Sequence, residues 1–265
     1  MIRILSTLLL LNVTTPTLAH ELWIEPEDFM LEPSTSLSAH IRVGENFEGV
    51  RMSWFENRYG STTIWQGDSA VAVTSRLGDR PAIRALPEQD GLAIITLETT
   101  PDRLTYRDWE KFKSFVEHKD FATALEDHAA RGLPETGFVE SYTRHVKSLV
   151  SVGSGSGQDR AFGLQTEIVA LANPYTDDLS DGMPVQVFYL GEPRVDAQVE
   201  VFEKQGETVN VFFTRTDEAG RAIIPVKPGH SYLLDAVVLR DTGADDPSEG
   251  AVWESLWAGL SFATP

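Results

Sequence analysis

The sequence predicts a mainly β protein: two antiparallel β-sandwich-like domains with a three-helix insertion between them. Three observations carry this. Short apolar runs cut by Gly, Pro, Asp and Asn fill residues 20–100 and return over 161–265; the apolar period turns helical over 101–150; and a Gly/Ser stretch, "SVGSGSGQD", closes the helical part.

In chain order, residues 1–19 read as a secretory signal: Arg3, the apolar "ILSTLLLLNV", the polar break "TTPT" and small Ala19 at the cleavage position. The apolar run is about ten residues, short of the roughly 20 that a membrane helix needs. Cleavage before His20 is expected, giving a periplasmic or secreted protein that is not membrane-embedded. The N-terminal β domain, 20–100, is read from "ELWIEP", "SLSAHIRVG", "TTIWQ", "AVAVTSRL" and "LAIITLET". The helical insert, 101–150, is read from three patterns. Trp109, Phe112 and Val116 share a helical face behind a capping-box-like Thr105 and Asp108; a second helix runs from near Asp120 to Gly132; a third runs from 136 to 149 with Phe138, Tyr142, Val146 and Leu149 on one face. Residues 151–160 read as a linker. The C-terminal sandwich, 161–265, follows from "GLQTEIVAL", "PVQVFYL", "AQVEVFEK", "VNVFFTRT", "RAIIPV" and "SYLLDAVVL". The closing "WESLWAGLSF" fits helical and strand spacing alike, and its place at the end of a sandwich favours a core strand.

Composition narrows function. The chain has no cysteine, so disulfides and thiolate metal sites are excluded and any metal is held by nitrogen and oxygen. Without residues 1–19, 21 Lys+Arg face 40 Asp+Glu. Such a chain repels nucleic acid and attracts cations. No Gly-rich phosphate loop, nucleophile elbow or metalloprotease helix occurs, so no enzymatic activity is expected.

The six histidines are His20, His40, His118, His128, His145 and His230. Cleavage after Ala19 would give His20 a free α-amine beside its imidazole, and these two nitrogens chelate one metal ion. The amine titrates near pH 7.7 to 8.0, so a metal displaces its proton at neutral pH. Nitrogen donors in a plane suit copper or nickel. A third nitrogen is sought from His40, if "HELWIEP" pairs antiparallel with "SLSAHIRVG", or from the inward-facing His128 or His145. The competing reading of inward histidines is hydrogen-bonded core. Glu21, Asp28 and Glu254 are the oxygen donors considered; His118 is expected solvated and His230 structural.

"AHELWIEPEDF", "IRVGENFEGV", "ESYTRHVKSLV", "GLQTEIVALANPY" and "GEPRVDAQVEVF", with the closing "WESLWAGLSF", resemble the exported bacterial family catalogued as domain of unknown function 4198. The resemblance spans nearly all of the chain after residue 19. It implies an N-terminal histidine, a β-rich body and the periplasmic handling of nickel or cobalt for an ABC-type membrane metal transporter. It also implies a histidine late in "LLDAVVLR", where this chain has Val237, Val238 and Leu239. The part from "GEPRVDAQVEVF" to "YLLDA" resembles transthyretin-like or carboxypeptidase-regulatory sandwiches, which opens a different reading: a non-catalytic module binding protein or glycan, with no metal site.

Overall fold

The computed structural model describes residues 20–265; the expected signal segment lies outside them. The chain opens with β1 (Glu21–Pro26), β2 (Met30–Leu31), β3 (Leu37–Glu45), β4 (Glu48–Met52), α1 (Glu56–Tyr59), β5 (Ser61–Gln66), β6 (Ser69–Val71), β7 (Ile83–Ala85), β8 (Gly91–Glu98) and β9 (Asp102–Tyr106). Helices α2 (Trp109–His118) and α3 (Ala124–Ala130) lead into the long β10 (Phe138–Val152). The rest is β11 (Thr166–Ala170), β12 (Met183–Tyr189), β13 (Glu192–Pro193), β14 (Gln198–Gln205), β15 (Thr208–Arg215), β16 (Arg221–Ile224), β17 (Ser231–Asp241) and β18 (Trp253–Ala263). The protein is mainly β, as expected, and "WESLWAGLSF" is a strand.

A ten-stranded sheet ordered β15-β14-β17-β18-β10-β8-β5-β6 forms the middle layer, with β2 and β9 also pairing with β10. A sheet of β1, β3, β4 and β7 covers one part of it, enclosing Ile24, Ile41, Ile95, Val146 and Val150. A sheet of β11, β12, β13 and β16 covers the other, enclosing Leu149, Ile168, Val185, Val201 and Leu260. The two halves are joined within one sheet: β10 runs parallel to β18 from Glu140 opposite Trp253 to Ser148 opposite Ser261. A parallel pair needs a long crossover, and here everything from β11 to β17 supplies it.

Two local expectations are corrected. The helix expected over 136–149 is strand β10. Its spacing misleads because both faces are buried: Val146 packs into the first core and Leu149 into the second, so no two-residue alternation shows. Residues 151–160, expected as a linker, are tied down. Asn173 donates its amide to the Gly155 and Gly157 carbonyls (2.8 and 2.9 Å), and Asp90 accepts the Ser154 N–H (2.6 Å). Gly155 sits at φ 63°, where a Cβ would meet the Ser151 hydroxyl. The helices expected near 109 and 120–132 are α2 and α3. Asp108 itself caps α2, accepting the Glu110 N–H at 3.1 Å, while Thr105 belongs to β9. Phe112, Phe115 and Val116 press the helix onto Phe138, Trp253 and Trp257.

Candidate functional site

Strand β1 pairs with β3 as expected, but the register separates the two histidines meant to meet. Glu21 stands opposite Gly44 and Glu25 opposite His40. His20 therefore lies at one end of the ladder beside Glu45, its Nδ1 3.1 Å from Glu45 Oε1. His40 is five residues along, about 17 Å away at the rise of an extended strand. His40 is buried, with Nε2 3.4 Å from Glu27 Oε1, and burial holds its imidazole below the usual range.

His128 is committed elsewhere. Its Nδ1 accepts the Trp253 indole N–H at 3.0 Å and its Nε2–H donates to the Pro134 carbonyl at 3.1 Å, so both nitrogens are occupied and the ring is a core residue among Trp109, Phe112 and Phe138. His145, on a strand rather than a helix, is fully buried with Nδ1 2.9 Å from Glu98 Oε2; burial lowers its pKa. His230 is held in its turn by the Pro228 carbonyl, 2.9 Å from Nδ1. The structure does not bring His20, His40, His128 and His145 together as one ligand set.

What it does assemble is a group of carboxylates around Lys119. Glu21 opens β1, Glu200 lies on β14, and Asp235 stands directly opposite Glu200 on β17. Lys119 is the C-terminal cap of α2, and its Nζ lies 4.9 Å over the Trp257 ring. Its Nζ donates to Asp235 Oδ2 and Glu200 Oε2 at 2.7 Å each and to Glu21 Oε1 at 3.0 Å. All four residues are buried. His118, half exposed, completes the edge with Nε2 3.0 Å from Glu200 Oε1. Carboxylate oxygens of Glu21, Glu200 and Asp235 lie within 4.8 Å of one another, a group that could hold a metal ion.

The electrostatics follow from one ammonium among three carboxylates. Burial pushes Glu21 up to about 7, against the pull of Lys119 and with the push of Asp235 and Glu200. Burial also raises Asp235. Glu200 is pushed up by burial, but hydrogen bonds from His118 and Lys119 outweigh this and hold it below the usual carboxylate range. The hydrogen bond to Glu200 in turn raises His118. Lys119 loses to burial and gains more from Asp235, Glu21 and Glu200, so it stays charged.

A cavity of about 160 Å³ reaches this group, lined by Glu21, Glu45, His118, Lys119, Glu200 and Phe202 among others. The β3–β4 turn shapes its rim: Asn46 and Phe47 both take positive φ (52° and 57°), a pairing of the tight hairpin type, which places Glu45 at the mouth while Phe47 packs on Trp23. Alternation along β1 turns His20 and Leu22 into a separate cavity of about 190 Å³ with Arg58, Tyr142 and Arg144. Glu45 touches both sides, lining the first cavity and meeting the His20 ring. Val238, where the resemblance implied a histidine, is buried on β17 opposite Leu256.

Of this group only Glu21 stood among the oxygen donors considered from sequence. Asp235 carried a signal: it is a lone acid inside the apolar run "YLLDAVVL". Glu200 and Lys119 are hidden by surroundings rich in charge.

The fold and site define a class: a mainly β protein of several sheets and few short helices, with a buried carboxylate group fit for a cation. The chain belongs to the family described as Domain of unknown function (DUF4198), whose model matches residues 17–240. No curated protein matches the chain. Among solved structures it is similar to the D0–D1 domain of intimin, at 10% identity and a TM-score of 0.21 over 91% of this chain and 97% of that one. A similarity that weak carries no argument about function. No helix among the described residues is long and apolar enough to cross a membrane.

Proposed function

We propose that this protein is exported, is cut after Ala19, and binds a divalent transition metal ion, nickel, cobalt or copper, as an accessory to uptake through a membrane metal transporter. The observation that carries the reading is the charge deficit at Lys119: three buried carboxylates face one ammonium, and a cavity leads to them. A divalent cation supplies the missing charge, and oxygen and imidazole donors suit it. Glu200, Glu21 and His118 are the donors in this reading. His20 lines the neighbouring cavity and meets Glu45 between the two, so the amine and imidazole it would offer after cleavage form a second donor set beside this one rather than part of it. Asp235 and Lys119 act as the anchoring pair behind the ion.

Calorimetric titration of the processed protein with each metal tests this. Glu200→Gln is expected to weaken binding at least about tenfold, since it removes a ligand and the partner that orients His118. Unchanged affinity in Glu200→Gln overturns the site. One extra glycine before His20 separates amine from imidazole; an unaltered affinity and spectrum there removes the N-terminal chelate and leaves the carboxylate site standing.

A further inference from the structure

A second buried lysine has a different setting. Lys147, in the middle of β10, points toward the β11 sheet, and its Nζ lies 2.7 Å from Asp159 Oδ1, 2.8 Å from Asp159 Oδ2 and 3.3 Å from Glu167 Oε1, and it donates to the Arg160 carbonyl at 3.0 Å. The three side chains are 0%, 0% and 2% exposed. Both acids are fixed by backbone. Asp159 Oδ1 accepts the Arg160 N–H and Oδ2 the Ala170 N–H, each at 2.8 Å, while Glu167 accepts the Phe162 N–H with both oxygens at 2.8 and 3.0 Å. The Phe162 ring lies 5.2 Å from Nζ and closes the site.

From this geometry we infer that Lys147 and Asp159 condense to an intramolecular isopeptide bond, with Glu167 as the proton carrier. The first step passes one ammonium proton from Nζ to Asp159 Oδ1, 2.7 Å away, which frees the nitrogen lone pair in a site sealed from water. Nζ is held 2.7 and 2.8 Å from the two oxygens of the Asp159 carboxyl, and the attack requires it to move from that edge to a position over the carboxyl carbon. Nζ adds to the carboxyl carbon, and the Ala170 N–H steadies the charge that develops on Oδ2. Glu167 takes the proton from the attacking nitrogen and returns it to Oδ1, which departs as water. One C–N bond forms, one C–O bond breaks, and nothing is oxidised or reduced. Lys119 does not share this chemistry, because the pull of three carboxylates keeps its ammonium charged. The bond closes a ring from 147 to 159, tying β10 to the segment that enters β11. It is independent of the metal reading.

Tryptic mapping of the full chain by mass spectrometry tests it. The expected product is peptide 145–160, uncut after Lys147, lighter than its sequence mass by one water, and yielding no fragments from within 147–159. Cleavage after Lys147, with peptide 148–160 at its sequence mass, overturns the proposal in the native protein alone, whatever the variants do. Glu167→Gln should restore that cleavage; a persistent link there would overturn the role given to Glu167. Asp159→Asn should form the same link with loss of ammonia instead of water, which separates it from dehydration of Asp159 on its own.

Discussion

Lys119 and Lys147 are both buried among acids, and the contrast between them shows how access and charge ratio divide one chemistry into two. Lys119 ends a helix at the edge of a cavity, faces three carboxylates and has a half-exposed histidine beside it. Lys147 sits mid-strand between two sheets, faces two carboxylates and is sealed by Phe162. Excess negative charge beside a cavity is what the proposed metal site draws on. Near-balance without a way in makes the second a fixed tie.

The largest effect should come from Lys147. Lys147→Met removes the proposed tie to Asp159 and leaves Asp159 and Glu167 buried without their partner, and a loss of about 3 to 5 kcal/mol is expected from denaturant unfolding. Lys119→Met should cost less, about 1 to 3 kcal/mol, because Glu21 takes up a proton and the cavity admits water. Equal losses would break the comparison.

Acidity should separate the clusters next. Glu21 is raised from an ordinary 4.5 to about 7 in the folded protein, so the folded state holds a proton that the unfolded state has released. Its contribution to stability is present in full below about pH 4.5 and is lost as pH rises through about 7. Glu21→Gln should flatten that fall when unfolding midpoints are measured across the window; an unaltered slope would assign the pH dependence to other groups. Metal affinity has the opposite sign, since the ion competes with protons on Glu21 and His118: it should weaken as pH drops below about 7, read by calorimetry. The smallest effect on metal affinity belongs to His40→Ala, whose position at the far end of the β1–β3 ladder keeps it out of the site. A tenfold loss there would require a different site.

The sequence made the strands legible wherever one face meets water or turn residues bound a run: β1, β3, β8, β12, β14 and β17 stand where the apolar patterns placed them. It failed at β10, where burial on both faces erases alternation and leaves Phe138, Tyr142, Val146 and Leu149 at accidental helical spacing. The site was less legible. Pairing of β1 with β3 was read correctly, but register decides which end of a ladder a residue occupies, and nothing local fixed His40 opposite Glu25. Glu21, Lys119, Glu200 and Asp235 come from four distant segments, so their meeting is a property of the assembled sheets rather than of any motif.

The most direct measurement of the difference between the two lysine groups is the unfolding midpoint of Lys119→Met and Lys147→Met, each with and without nickel, cobalt or copper. The ion should replace the lost ammonium in Lys119→Met, raising its midpoint and recovering much of the native stability, while Lys147→Met stays unrescued because no ion reaches its carboxylates. Rescue of neither variant, or of both alike, would contradict the account.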